Sequence, residues 1–188
     1  MVESKGDIVF PRRKAAVLSL IGSLVLALMM AAGTATAQTS DPVYQDRWSG
    51  FYAGGNLDFQ TGVPLGPEIL SVHAGRNQTV GAAVLGGELE LSRIAAGAPG
   101  GSISFMSRLK ARAGVPFGAT MLYAVGGAVR AETTMGPEYG LVAGIGVERQ
   151  ITNRWTVGGE LLHHEFPSFD GKGRHTVQAA SARLSYRF

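Results

Sequence analysis

The chain contains no cysteine, so no disulfide can staple an exported form of it, and stability must come from the fold itself. Beyond its first 37 residues no stretch of 18 apolar residues occurs, which excludes a helical membrane protein whose spans need about 20. Glycine is abundant yet has no G-X-Y period, so a collagen-like helix is excluded. There is no GxxxxGK[ST] phosphate loop, no GxGxxG and no cysteine nucleophile. No basic stripe suited to nucleic acid is present either. The overall basic balance is mostly N-terminal. Four of the 17 basic and two of the 14 acidic residues fall within residues 1–37, leaving a net charge of +1 on the 151 that follow, a length suited to one domain.

The N-terminal segment reads as a cleavable secretory signal. Arg12, Arg13 and Lys14 form a positive region, and Ala15 to Ala32 is uninterrupted by charge. Ala35-Thr36-Ala37 fits the small-x-small cleavage pattern, with Gln38 as the new N-terminus. A membrane anchor is the rival reading, and the cleavage pattern disfavours it. The Arg-Arg pair is read as an ordinary basic region rather than a twin-arginine signal, since export in a folded state does not suit a barrel that inserts later.

Residues 38–188 carry eight segments of about strand length with a two-residue period. They are Gly50 to Gln60, Ile69 to Gly75, Val80 to Ser92, Ile103 to Val115, Thr120 to Ala131, Tyr139 to Gln150, Trp155 to Phe166 and Thr176 to Phe188. Between them, longer connections holding both Gly and Pro (Thr61–Glu68, Arg93–Ser102, Glu132–Glu138, Pro167–His175) alternate with short ones (Arg76–Thr79, Pro116–Ala119, Ile151–Arg154). Asn77-Gln78-Thr79 matches a glycosylation sequon and is read as turn chemistry. Such alternation predicts an all-β, eight-stranded antiparallel up-and-down transmembrane β-barrel, with tight turns and both termini at the periplasmic end.

The period divides each strand into two faces. In the sixth segment Tyr139, Leu141, Ala143, Ile145 and Val147 oppose Gly140, Gly144, Gly146, Glu148 and Gln150. In the fourth, Phe105, Leu109, Ala111, Ala113 and Val115 oppose Arg108, Lys110, Arg112 and Gly114. Charged residues share their face with glycine, as a narrow eight-stranded lumen requires. The expected lumen network is Asp58, Glu88, Glu90, Glu148 and Glu160 against Arg108, Lys110, Arg112, Arg130, Arg183 and Arg187. Near the strand ends, Trp48, Phe51, Phe59, Phe117, Tyr123, Tyr139, Trp155, Tyr186 and Phe188 read as interfacial girdles. A soluble lipocalin-type barrel would share the period with its apolar face inward. The glycine-rich charged face, its charge balance and the signal favour the outer membrane of a Gram-negative bacterium.

WSGFYAGGN from Trp48 to Asn56, the arginine-rich SRLKARAGVPF, LYAVGGAV, Gly144-Ile145-Gly146-Val147-Glu148 and the closing LSYRF follow one another in a recognisable order. Together they resemble the small outer-membrane β-barrel proteins of alphaproteobacteria, the Omp25/Omp31-like porin-family group. That resemblance implies an OmpA-like eight-stranded barrel whose closing Tyr186 and Phe188 act as an assembly signal for the barrel-assembly machinery. It departs from the group in the short second strand with His73 and at Leu162-His163-His164 in the seventh.

The function expected is structural: a monomeric barrel supporting envelope integrity and presenting surface loops, without an open pore, because open diffusion pores need about 16 strands. Expected partners are outer-membrane lipid and lipopolysaccharide, with periplasmic chaperones and the assembly machinery during biogenesis. No enzymatic activity, cofactor or metal is expected. A lipid A-modifying enzyme would need a lipid-facing His/Ser/Glu set. His163, His164, Glu165 and Ser168 lie close in sequence, but the two histidines face opposite ways, and Ser168 removes the HExxH zinc pattern. Binding of haem or a host surface is the remaining alternative, with His73, His163, His164 and His175 as candidate ligands.

Overall fold

The computed structural model describes residues 47–61, 69–98, 101–134, 136–167 and 173–188. The expected signal, residues 1–37, and Ser168 lie outside the described residues. Eight strands follow in order: β1 (Gly50–Thr61), β2 (Ile69–Val80), β3 (Ala83–Ala98), β4 (Gly101–Phe117), β5 (Thr120–Thr133), β6 (Gly136–Gln150), β7 (Trp155–Phe166) and β8 (His175–Arg187). Each pairs antiparallel with its chain neighbour, and β1 pairs with β8, closing the sheet. Closure gives every strand two partners, so no backbone edge is left unpaired.

Strand alternation follows the sequence period, but the connections differ from expectation. The polar run Arg76–Thr79 is not a turn. It continues β2, with Asn77 opposite Gly86 and Gln78 opposite Leu85. Asn77 is buried inside the barrel and Gln78 is exposed, so this run alternates like any other strand segment. The turn falls instead at Gly81-Ala82, where Gly81 has φ 60°, a left-handed conformation costly for residues with a Cβ. Gly118, with φ 61°, does the same between β4 and β5.

At the opposite end, strands extend into segments read as loops. β3 runs to Ala98 and β4 starts at Gly101, with a register shift between Arg93 and Ala96. β5 runs to Thr133 and β6 starts at Gly136. The strict long–short alternation is therefore not observed: Gly97, Gly101, Gly136 and Pro137 lie within paired strands, at their ends, where pairing tolerates them.

The apolar face is outward. Leu109, Leu141 and Leu70 are 66%, 64% and 65% exposed, while Arg108 and Lys110 are at 0% and 1%. Burying ion pairs and exposing leucine inverts the arrangement of a water-soluble fold, in which apolar side chains drive burial.

Candidate functional site

The interior is built by position parity. On β3 and β4, Glu90 stands opposite Arg108, and Glu88 opposite Lys110. Four charges thereby face one another across a single antiparallel pair. Lys110 Nζ lies 2.7 Å from Glu90 Oε2, and 2.9 Å from Glu88 Oε1 without hydrogen-bond alignment. It also reaches across the lumen to Glu160 Oε1 of β7 at 2.7 Å. Arg183 of β8 donates to Glu88 Oε2 at 2.6 Å and to Glu160 Oε2 at 3.3 Å.

A second tier involves aromatic rings. Arg112 donates to Glu148 Oε1 at 2.8 Å and to the Tyr52 hydroxyl at 2.7 Å. Its guanidinium carbon lies 4.0 Å from the Tyr123 ring centroid and 5.3 Å from that of Tyr52, within cation–π range. Tyr52 and Tyr123 donate in turn to Glu88 and Glu160 at 2.8 and 3.0 Å. Glycine makes room for the rings: a Cβ on Gly146 would collide with Tyr123, and one on Gly75 with Tyr52.

Arg108 contacts Glu90 closely and donates to Ser92 at 2.9 Å. Its Nε donates to His164 Nε2 at 2.9 Å, which requires His164 to carry its ring proton on Nδ1, directed at the Val177 carbonyl 3.4 Å away. Asp58 accepts from Ser71 at 2.6 Å and lies 3.7 Å from Arg108. Arg187 donates to the Ser49 carbonyl at 3.1 Å and lies over the Trp48 ring at 5.4 Å.

Among the described residues, the buried ionisable Asp, Glu, Lys and Arg side chains are Asp58, Glu88, Glu90, Glu148 and Glu160 against Arg108, Lys110, Arg112, Arg183 and Arg187. This balances five carboxylates with five cations. Arg130 corrects the sequence assignment. Tyr123, Val125 and Val129 set the inward parity of β5, so Arg130 points outward. It is 48% exposed, pairs with Glu132 at 2.6 Å and lies over Tyr139 at 5.9 Å. Without it, the interior charges match one for one.

Two supposed girdle aromatics are also interior. Tyr123 belongs to the network, and Trp48 is fully buried in one cluster with Val84, Met121 and Tyr123. Sequence reasoning missed the apolar part of the lumen, including Met106, Met121, Val129, Val142 and Phe166. Their parity with the charged residues was the available signal. Phe51, Phe117, Tyr139, Trp155 and Phe188 are exposed on the outside.

The histidines do not converge. His73 is buried with Nε2 2.8 Å from Ser185 Oγ, His164 is held by Arg108, His163 is exposed on the outer face, and His175 starts β8. Among the described residues no group of three or more His, Asp or Glu side chains is placed to hold a metal ion.

No protein-family model matches the chain, and no curated protein matches it by sequence. Its fold does match solved structures. Against the crystal structure of neisserial surface protein A (NspA) the TM-score is 0.53 at 15% identity, covering 74% of this chain and 98% of that one. Against Ail, the attachment invasion locus protein of Yersinia pestis, it is 0.50 at 12% identity, covering 74% and 97%. At these identities the likeness is one of fold: the small eight-stranded barrel of outer-membrane proteins.

Proposed function

We propose that this protein is a structural outer-membrane barrel of a Gram-negative bacterium, exported by the signal in residues 1–37 and contributing to envelope integrity without an open pore. The observation that carries this reading is the inversion of polarity, with leucine on the outside and a charge-matched network filling the inside. An outward apolar face is stable only against hydrocarbon or a partner, and closure satisfies the backbone there. The fold shared with NspA and Ail supports the same compartment. Within that class, the sequence likeness described above favours the alphaproteobacterial small-barrel group, with Tyr186 and Phe188 serving assembly.

Lys110, Arg112, Tyr123 and Arg183 reach across the interior to carboxylates on non-neighbouring strands, which favours a filled barrel over a conduit. Catalysis has no support from the His163–Glu165 stretch, since His164 is occupied inside while His163 faces out. The test is fractionation combined with liposome swelling. Recovery in the outer membrane, without swelling in small sugars, is expected. Steady sugar permeation by the folded protein would overturn the pore-free reading.

A further inference from the structure

At the end of the barrel that carries Gly81, Gly118 and the connection 151–154, the outer surface is lopsided. Starting on β6, Arg149 is exposed, and Arg154 follows in the turn to β7. Arg154 donates to the Tyr186 hydroxyl at 2.8 Å. Tyr186 stacks edge-on between Trp155 at 5.1 Å and Phe188 at 5.3 Å. The Phe188 N–H donates to the Phe51 carbonyl at 3.0 Å, and Arg76 of β2 lies 5.3 Å over the Phe51 ring. An unbroken arc over β6, β7, β8, β1 and β2 thus sets aromatic rings beside three exposed guanidinium groups.

Among the described residues, no Asp or Glu side chain forms an ion pair with Arg76, Arg149 or Arg154. Glu88 and Glu148, the acidic side chains nearest this end, are both buried in the lumen. Near this same end, the opposite arc on β3 to β5 presents Leu85, Val115, Phe117 and Leu122 with no outward cation among the described residues; the exposed Arg93 of β3 and Arg130 of β5 lie toward the far end. The far end of the barrel differs again. There, Arg130 and Arg174 are each paired with a neighbouring carboxylate, Glu132 and Glu165.

We propose that the arc of Arg149, Arg154 and Arg76 binds the headgroups of anionic glycerophospholipids. This rests on the bilayer-spanning reading above. The rings are continuous with the outward apolar belt and therefore sit at the border of the hydrocarbon, where amphipathic aromatics are favoured. A guanidinium just beyond that border meets phosphate, which its planar fork matches in two parallel hydrogen bonds. Arg154 uses one donor on Tyr186 and keeps the remaining four. Fixing the side chain to the ring lowers the entropy lost when a phosphate binds. The result is an ordered lipid contact on one side of the barrel only.

Trp155 lies within the arc, and the only other tryptophan, Trp48, is buried inside. The full chain carrying Trp48→Phe is refolded into phosphatidylcholine vesicles containing brominated phosphatidylglycerol or, at equal mole fraction, brominated phosphatidylcholine. Quenching of Trp155 should report a preference for phosphatidylglycerol of about fivefold per engaged arginine. It should fall close to one in Arg76→Gln/Arg149→Gln/Arg154→Gln, and decline in about 1 M salt. Equal quenching by the two lipids in the parent overturns the proposal, as does a preference that survives the triple substitution. If Trp48→Phe does not fold, the unsubstituted chain is compared with Trp155→Phe. Insertion is followed by gel mobility in the same vesicles. A chain that inserts without preference overturns this inference alone, whereas one that inserts into neither lipid overturns the outer-membrane reading as well.

Discussion

Lys110 on β4 and Glu160 on β7 meet across the barrel, Nζ to Oε1 at 2.7 Å, though their strands are not neighbours in the sheet. Both are fully buried. The same ammonium also serves Glu88 and Glu90, so one cation ties together three carboxylates from two walls. Removing it would leave buried negative charge uncompensated. Lys110→Met is therefore expected to destabilise the folded barrel by about 3–5 kcal/mol, read as a lowered urea midpoint in vesicles. Glu160→Gln alone should also lower it, and the double variant should lose less than the two losses added. Simple additivity would show that the contact carries no coupling.

Glu88 and Arg112 occupy the same network, each with several partners at 3.2 Å or less. Glu88→Ala and Arg112→Ala should each lower the denaturant midpoint strongly. Arg130→Ala, which removes an exposed pair and an outward contact with the Tyr139 ring, should cost about 0–1 kcal/mol. Comparable losses for Arg112 and Arg130 would contradict the inward–outward division between them.

Tyr123 fills the space a side chain at position 146 would need. Gly146→Ala should cost about 1–3 kcal/mol through overpacking. At Gly126 a Cβ meets nothing within 4 Å, so Gly126→Ala should be tolerated there. Equal effects at the two sites would show that the interior is not tightly filled around Tyr123.

Leu109 is central on β4 and 66% exposed. On a lipid-facing surface, Leu109→Arg should cost about 2–4 kcal/mol at the bilayer midplane. Urea titration in phospholipid vesicles measures this. No loss there would mean that this face does not contact hydrocarbon.

The sequence made the barrel legible because a two-residue period is visible wherever one face is charged and the other aliphatic. On β3 and β4, Glu88, Glu90, Arg108, Lys110 and Arg112 are separated by apolar residues, and all five are buried. The period was silent where both faces are polar. Arg76–Thr79 reads like a turn, yet it is strand, and only pairing with β3 distinguishes the two. Arg130 misled because charge was equated with the lumen. Near a strand end an outward arginine can pair with a neighbour and stay hydrated, so parity rather than charge decides its side. Trp48 and Tyr123 misled likewise, since an aromatic near a strand end can plug the barrel from inside as readily as gird it from outside. The cross-lumen partners, such as Lys110 with Glu160, depend on barrel closure, and no local pattern encodes them.

The measurement that tests the account most directly is gel mobility of the protein from the outer-membrane fraction, unheated and boiled in detergent. A closed barrel held by its interior network should resist detergent, run at a shifted position unheated, and lose that shift on boiling. A protein recovered soluble from the periplasm, with identical mobility before and after heating, would contradict the account and place the apolar face around a ligand cavity instead.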